Sequence, residues 1–245
     1  MAVPAVSAVT FDLWNTLIVE GPSGLFHPRV RAWQEEFSKA GLDVPDDAIE
    51  AAHRGALEAY QRAWHANTQF CSEEATDHVL DRLGVRLDGP SRERLVASFH
   101  EAGLASEIFA TPHSVDVVGT VKAAGVRTAI ICDIGLTPST ALLVHLERLN
   151  LLDLVDVFTW SDELRSYKPD ARAFTTTLET LGVPADRALH VGDRRRTDVQ
   201  GAREVGMATV RYRFVYDDPE PMPDADHVID DLTALLTIVG VERPG

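Results

Sequence analysis

Apolar positions change their spacing twice along the chain. The opening run at 6–13 (VSAVTFDL) is apolar and β-branched and closes on an acid, which predicts a buried strand. Gly21, Pro22, Ser23 and Gly24 then break the pattern. From about Leu25 to Ser106 apolar residues recur at ~3.6-residue spacing. With an Asp or Ser before most runs and stops at Gly41, Gly84 and Gly89, this predicts helices over 29–40, 46–65, 72–83 and 90–105. After Thr111-Pro112 the texture changes. Strand-like runs at 127–132, 155–160, 188–191 and 208–212 alternate with helical runs at 138–150, 169–181, 198–205 and near 231–239.

Alternation at this spacing implies crossover units and a parallel sheet, which places ligands beyond the carboxyl ends of its strands. The fold expected is α/β: a Rossmann-like parallel-sheet core at 1–18 and 108–245, interrupted by an all-helical insert at 19–107. The hinges fall at Gly21–Gly24 and 103–112. No internal repeat or low-complexity tract is visible.

Composition narrows the function. A net charge of −15 argues against nucleic acid or an anionic membrane surface as partner. No stretch approaches the ~18 apolar residues of a membrane span, and no apolar run long enough for a signal peptide precedes Asp12, so the expected location is cytoplasmic. Cys71 and Cys132 lie too far apart in sequence to suggest a disulfide framework or zinc site. Nothing in the pattern bears on oligomeric state. Positive charge is written almost entirely as arginine. Lys168 is one of only three lysines among 23 basic residues, which suggests a position that requires a compact ammonium.

Four features fall at or just after predicted strand ends: Asp12 in FDLWNTLI, Cys132-Asp133 in AIICDIG, Lys168 in SYKPD, and Asp193 with Asp198 in HVGDRRRTD. Singly, each has an ordinary reading as a turn residue, a helix cap or a proline-started helix. In order, and at the same end of successive parallel strands, they converge. A carboxylate at a strand tip can attack phosphorus or carbon to form a covalent ester, and an ammonium beside it neutralises developing charge.

In combination, FD-x-x-x-T-L, K-P-D-x-x-x-F and V-G-D-x-x-x-x-D-x-x-G-A resemble the haloacid dehalogenase superfamily over nearly the whole chain. The helical insert resembles that superfamily's cap between its first and second motifs. The resemblance implies a hydrolase with Asp12 as nucleophile and Lys168 as its neutralising cation. It implies Mg²⁺ held by Asp12, Asp193 and the backbone carbonyl of Trp14, with Asp198 steadying a metal-bound water or Lys168. Thr16 would hydrogen-bond within the nucleophile loop or to the transferred group, and backbone N–H groups after Asp12 and Cys132 would supply an oxyanion nest.

Three departures matter. The superfamily's phosphatases carry a second Asp two residues after the nucleophile, which protonates the leaving group; here Trp14 stands there, as a core aromatic or a substrate-stacking group. Its dehalogenases carry an aromatic at that position and work without metal, because a halide leaves without a proton, but they usually lack the Gly192-Asp193 pair kept here. The second motif presents Cys132 and Asp133 where Ser or Thr is usual. A thiol is a weak donor, so Cys132 reads as a buried small residue. Asp133 either turns away to cap the next segment or meets a cation on the substrate.

Among other candidates, Arg194, Arg195 and Arg196 read as an anion patch or a solvated loop. His27, Arg29 and Arg31, just past the first hinge, are candidate substrate contacts. His53 and His65 are too far apart on one helix to chelate together and carry no assigned role. Trp33, Tyr60 and Trp64 read as cap core. The leading expectation is Mg²⁺-dependent hydrolysis of a small phosphorylated metabolite through an aspartyl-phosphate on Asp12, with enol, aryl or acyl leaving groups suiting Trp14. The alternatives are a metal-independent 2-haloacid dehalogenase with an alkyl-ester intermediate, and a binding or regulatory relative with weak catalysis.

Overall fold

The computed structural model describes residues 6–22, 24 and 26–242; Ser23 of the predicted break and Leu25 lie outside the described residues. The chain divides into two compact units. One gathers the chain up to Val19, Phe109–Asp133 and the chain from Leu146 onward; the other gathers Glu20–Ile108 and Ile134–His145.

The first unit is built on a six-stranded sheet. Its strands are β1 (Ala8–Phe11), β4 (Arg127–Cys132), β5 (Val157–Trp160), β6 (Ala188–Gly192), β7 (Ala208–Tyr212) and β8 (His227–Ile229). The order is β5-β4-β1-β6-β7-β8, and every neighbouring pair is parallel. The chain runs from β1 out to β4 and β5, then returns to the other side of β1 with β6. The strand order thus reverses beside β1, where open α/β sheets bind ligands. All four β1 residues are buried, as a central parallel strand requires.

Helices α5 (Ser114–Ala123), α7 (Ser161–Leu164), α8 (Ala171–Leu181), α9 (Gly201–Glu204) and α10 (Ala234–Val239) alternate with these strands; between β4 and β5 the chain also forms α6 (Ser139–Arg148), whose residues up to His145 belong to the second unit. α8 shows why the local sequence folds this way. Asp170 caps it by accepting the Arg172 N–H at 2.9 Å, Gly182 closes it in the left-handed region at φ +70°, and Ala173, Phe174, Thr177, Leu178 and Leu181 form its buried stripe. Phe174 and Leu178 pack with Ala8, Ala129, Ile131 and Ala188 of the sheet.

The second unit contains α1 (Phe26–Lys39), α2 (Asp46–His65), α3 (Ser72–Leu83) and α4 (Gly89–Leu104). Their stripes share one core, which includes Trp33, Phe37, Ile49, Ala52, Val79, Leu95, Phe99 and Leu136. Among the described residues no helix is long and apolar enough to cross a membrane.

The sequence pattern differs from the structure in several places. The first strand is shorter than 6–13. Strands β2 (Ile18–Glu20) and β3 (Ile108–Ala110), which pair in a separate two-stranded sheet, and the edge strand β8 are too short to carry a period. α5 reads SVDVVGTVKA, rich in β-branched residues and interrupted by Gly119, so its helical stripe of Val117, Val118 and Val121 was masked by low propensity. The helix expected at 198–205 opens instead with a wide π-type turn at Arg195–Gln200. Residues 134–145, which the sequence pattern gave to the core, belong to the helical unit: Leu136 joins its apolar cluster, and the Ile134 carbonyl accepts from Gln69 Nε2 at 3.1 Å.

Candidate active site

Asp12 follows the last residue of β1, and its backbone N–H bonds the Val191 carbonyl of β6 at 2.8 Å. The chain then turns sharply: Leu17 N donates to Leu13 O at 2.9 Å and Asn15 N to Ile18 O at 2.8 Å. Asn15 sits at φ +61°, a left-handed conformation that asparagine tolerates better than most residues. The turn brings Thr16 Oγ1 to 3.4 Å from Asp12 Oδ2 and lets Asn15 Nδ2 donate to Asp193 Oδ2 at 3.3 Å. Half-buried Trp14 pairs with Ile18 in a single bridge.

Lys168 lies in the loop between α7 and α8, just ahead of a cis bond to Pro169, and is 1% exposed. Its Nζ donates at 2.6 Å to Asp12 Oδ1 and at 2.6 Å to Asp198 Oδ1. Asp198 is itself tied down: its Oδ2 accepts the Arg194 backbone N–H at 2.9 Å, and its Oδ1 lies 3.3 Å from His190 Nε2. The other His190 nitrogen, Nδ1, is 2.8 Å from Thr10 Oγ1. A neutral ring with its proton on Nε2 satisfies both contacts, donating to the carboxylate and accepting from the hydroxyl.

Carboxylate oxygens of Asp12, Asp193 and Asp198 lie within 4.8 Å of one another. Burial pushes the Asp12 carboxyl up to about 7, against the pull of Lys168 and with the help of Asp198. Burial also lifts Asp193 well above the usual carboxylate range, reinforced by Asp12 and Asp198. Burial would lift Asp198 too, but Lys168 and the His190 bond hold it below its ordinary value. Burial alone would lower Lys168, and the surrounding Asp12, Asp198 and Asp133 more than offset that. Three carboxylates against the Lys168 ammonium and the Arg194 guanidinium leave the cluster short of positive charge. The donor set of close, hard oxygens is what Mg²⁺ or a similar divalent cation takes, so the residues fit such an ion. Both oxygens of Asp198 are held by short bonds, whereas Asp12 Oδ2 and Asp193 Oδ2 accept only long ones, of 3.4 Å from Thr16 and 3.3 Å from Asn15, so Asp12 and Asp193 are the readier donors.

This constellation sits within the stretch that a family model for haloacid dehalogenase-like hydrolases matches, residues 6–206. The chain belongs to the haloacid dehalogenase-like hydrolases. A ribulose-1,5-bisphosphate 5-phosphatase of Halopiger xanaduensis is 32% identical over 248 residues, covering 95% of this chain and 99% of that protein. A glyceraldehyde 3-phosphate phosphatase of Methanocaldococcus jannaschii is 33% identical over 129 residues, and there the match spans only about half the length of each, 52% of this chain and 55% of that protein. Among solved structures, the 2-haloacid dehalogenase of Pseudomonas syringae pv. Tomato DC3000 aligns with a TM-score of 0.69 at 21% identity, covering 96% of this chain and 98% of that one, a likeness of fold.

The remaining candidates of this haloacid dehalogenase-like hydrolase fall in varied surroundings. Cys132 is 1% exposed, and burial together with nearby Asp12 holds its thiol well above the usual range, so it is no thiolate at neutral pH. Asp133 has a partner the sequence did not suggest: its Oδ1 accepts the backbone N–H of Lys168 at 2.9 Å, which ties the end of β4 to the lysine loop. Two of the three arginines after Asp193 are engaged within the protein rather than forming a free anion patch. Arg194 lies 4.2 Å from the Tyr216 ring centroid and 3.5 Å from Asp193 Oδ2, while Arg195 bonds Asp218, Asp224 and the Glu220 carbonyl.

In the helical unit, His27 and Arg31 are exposed, whereas Arg29 is buried and donates to Thr137 Oγ1 at 2.5 Å. Trp33 is core; Tyr60 and Trp64 are half-buried. Sequence reasoning missed Thr10, Asn15 and His190.

Proposed function

We propose that this hydrolase is a Mg²⁺-dependent phosphatase of small phosphorylated metabolites, with Asp12 as nucleophile. The observation that supports this reading best is the buried Lys168 bridging Asp12 and Asp198 beside a third carboxylate, Asp193. Its phosphatase relatives support it as well.

Lys168 favours the ionised form of Asp12 and aims it, so that an Asp12 oxygen attacks phosphorus as the bond from phosphorus to the leaving oxygen breaks and that group departs as an oxyanion, and water then hydrolyses the aspartyl-phosphate to phosphate and free Asp12. The ammonium also counters charge that develops on the transferred group. Asp12 and Asp193 would hold the cation, with the Trp14 carbonyl as a third donor. Bound there, Mg²⁺ supplies positive charge to phosphoryl oxygens. Asp198 holds Lys168, and His190 with the Arg194 N–H holds Asp198. Thr16 steadies the second Asp12 oxygen. Backbone N–H groups after Asp12 and Cys132 would receive phosphoryl oxygens. Trp14 transfers no proton, so the leaving group must depart with little help, as an enol, aryl or acyl phosphate does.

The test is a panel of phosphomonoesters assayed with Mg²⁺ and with EDTA. Turnover should require the metal and fall by at least about 10³-fold in Asp12→Asn. Trp14 favours a second reading, a 2-haloacid dehalogenase in which Asp12 attacks carbon and halide leaves unprotonated. Halide release that persists in EDTA would select that reading and reject the phosphatase.

A further inference from the structure

Among the described residues, the core of the helical unit holds a group of polar atoms without partners. Arg29, 7% exposed, there makes one hydrogen bond, to Thr137 Oγ1, and its Nε has no acceptor among the described residues. The indole nitrogen of fully buried Trp33 has none either, nor has the Nε2 of His53, which is 2% exposed. The three side chains meet around one ring. Trp33 lies 5.7 Å from Phe99 and 4.9 Å from His53, His53 lies 5.7 Å from Phe99, and the Arg29 guanidinium carbon is 5.9 Å from the same Phe99 centroid.

Buried polar atoms are nearly always paired, and a buried charge is paired almost without exception. Here no described carboxylate forms an ion pair with Arg29. Burial lowers it to about 10, which still leaves it cationic at neutral pH, and Glu20 acts on it only through space. Burial also holds His53 neutral, down to about 4, so its single proton can sit on Nε2 as a third donor. The group thus offers N–H donors and one uncompensated positive charge, set among aromatic rings. An apolar ligand would leave the donors unpaired, and a cation would be repelled. Water would accept hydrogen bonds but leave the charge unmatched. A singly charged oxyanion answers both needs, and one guanidinium matches a carboxylate better than a doubly charged phosphate.

We propose that Arg29, Trp33 and His53 form an oxyanion site inside the helical unit, taking the carboxylate of a small acid. The site stands on the helical unit's own geometry and does not depend on the phosphatase reading.

The experiment is thermal unfolding of the full chain in sodium acetate or sodium glycolate against sodium chloride at matched ionic strength. At roughly a hundredfold excess over Kd the carboxylates should raise Tm by about 5 °C more than chloride does. Arg29→Met should lose this rise while unfolding at a higher temperature than wild type in chloride, because an unpaired buried charge has been removed. Trp33→Phe keeps the ring, deletes one donor and should weaken the carboxylate effect; it carries the test should Arg29→Met fail to fold. Carboxylates that act no more strongly than chloride, or an undiminished rise in every variant that folds, would overturn the site.

Discussion

Taking away the Lys168 ammonium would leave Asp12 and Asp198, both nearly buried, without the cation that each touches at 2.6 Å. Breaking a buried ion pair by removing one partner costs about 3–5 kcal/mol, because the surviving charge is stranded. Lys168→Met is therefore expected to destabilise the protein by that amount in chemical denaturation and to lower kcat by about 10²–10³-fold. Adding Asp12→Asn and Asp198→Asn should return part of the lost stability, since no stranded charge remains; a triple variant no more stable than the single one would refute this account. The charged members of the site were legible in the sequence because each stands at a strand end in a specific short motif. Thr10, Asn15 and His190 were not. A threonine and a histidine inside strands, and an asparagine in a turn, have no distinguishing pattern. Their duties toward Asp193 and Asp198 exist only once β1 and β6 lie side by side.

Between strand and helix, the end of β6 sets the position of Asp198. The π-type turn at Arg195–Gln200 brings the Asp198 side chain back over Gly192, so close that a Cβ at residue 192 would overlap Asp198 Cβ and Cγ. These are the fixed base of the side chain rather than its free end. Gly192→Ala must therefore shift either the strand or the turn, and with it the 2.6 Å bond to Lys168. A misplacement of about 1 Å in a catalytic group costs on the order of 10²-fold in rate, and overpacking costs about 1–3 kcal/mol in stability. Steady-state kinetics and urea unfolding would measure both; an alanine variant with wild-type kcat would show that this contact does not position Asp198. The same region marks where element prediction weakened. Helices with clear stripes, such as α2 and α3, were readable to the residue, as were the β-branched runs of β4 and β7. The sequence reading starts an ordinary helix at 198 and leaves the arginines before it as a loop; the wide turn at 195–200 packs Asp198 against Gly192, and periodicity carries no trace of that.

Over the whole molecule, acid acts on the two units with opposite signs. In the sheet-bearing unit, burial raises Asp12 to about 7 and lifts Asp193 as well, so the folded state binds more protons than the unfolded chain, and stability falls as pH rises from 3.8 through about 7. His190, lowered by burial, opposes this below 6.5. In the helical unit, burial first and Arg29 second lower His53 from 6.5 to about 4. The folded protein keeps that ring neutral while the unfolded chain protonates it. Stability contributed there is complete above 6.5 and is lost as pH falls from 6.5 to about 4, a change of about 3 kcal/mol. Comparing wild type with His53→Leu isolates this contribution, because Asp12, Asp193 and His190 titrate alike in both proteins. Denaturant unfolding at steps between pH 7 and 4, in buffers free of carboxylates so that Arg29 meets no added anion, should show the variant gaining on wild type by about that amount as pH drops, with no further change above 6.5. If the two proteins instead lose stability in parallel across that range, His53 is not held neutral, and the lone positive charge in the core of the helical unit is not Arg29 alone.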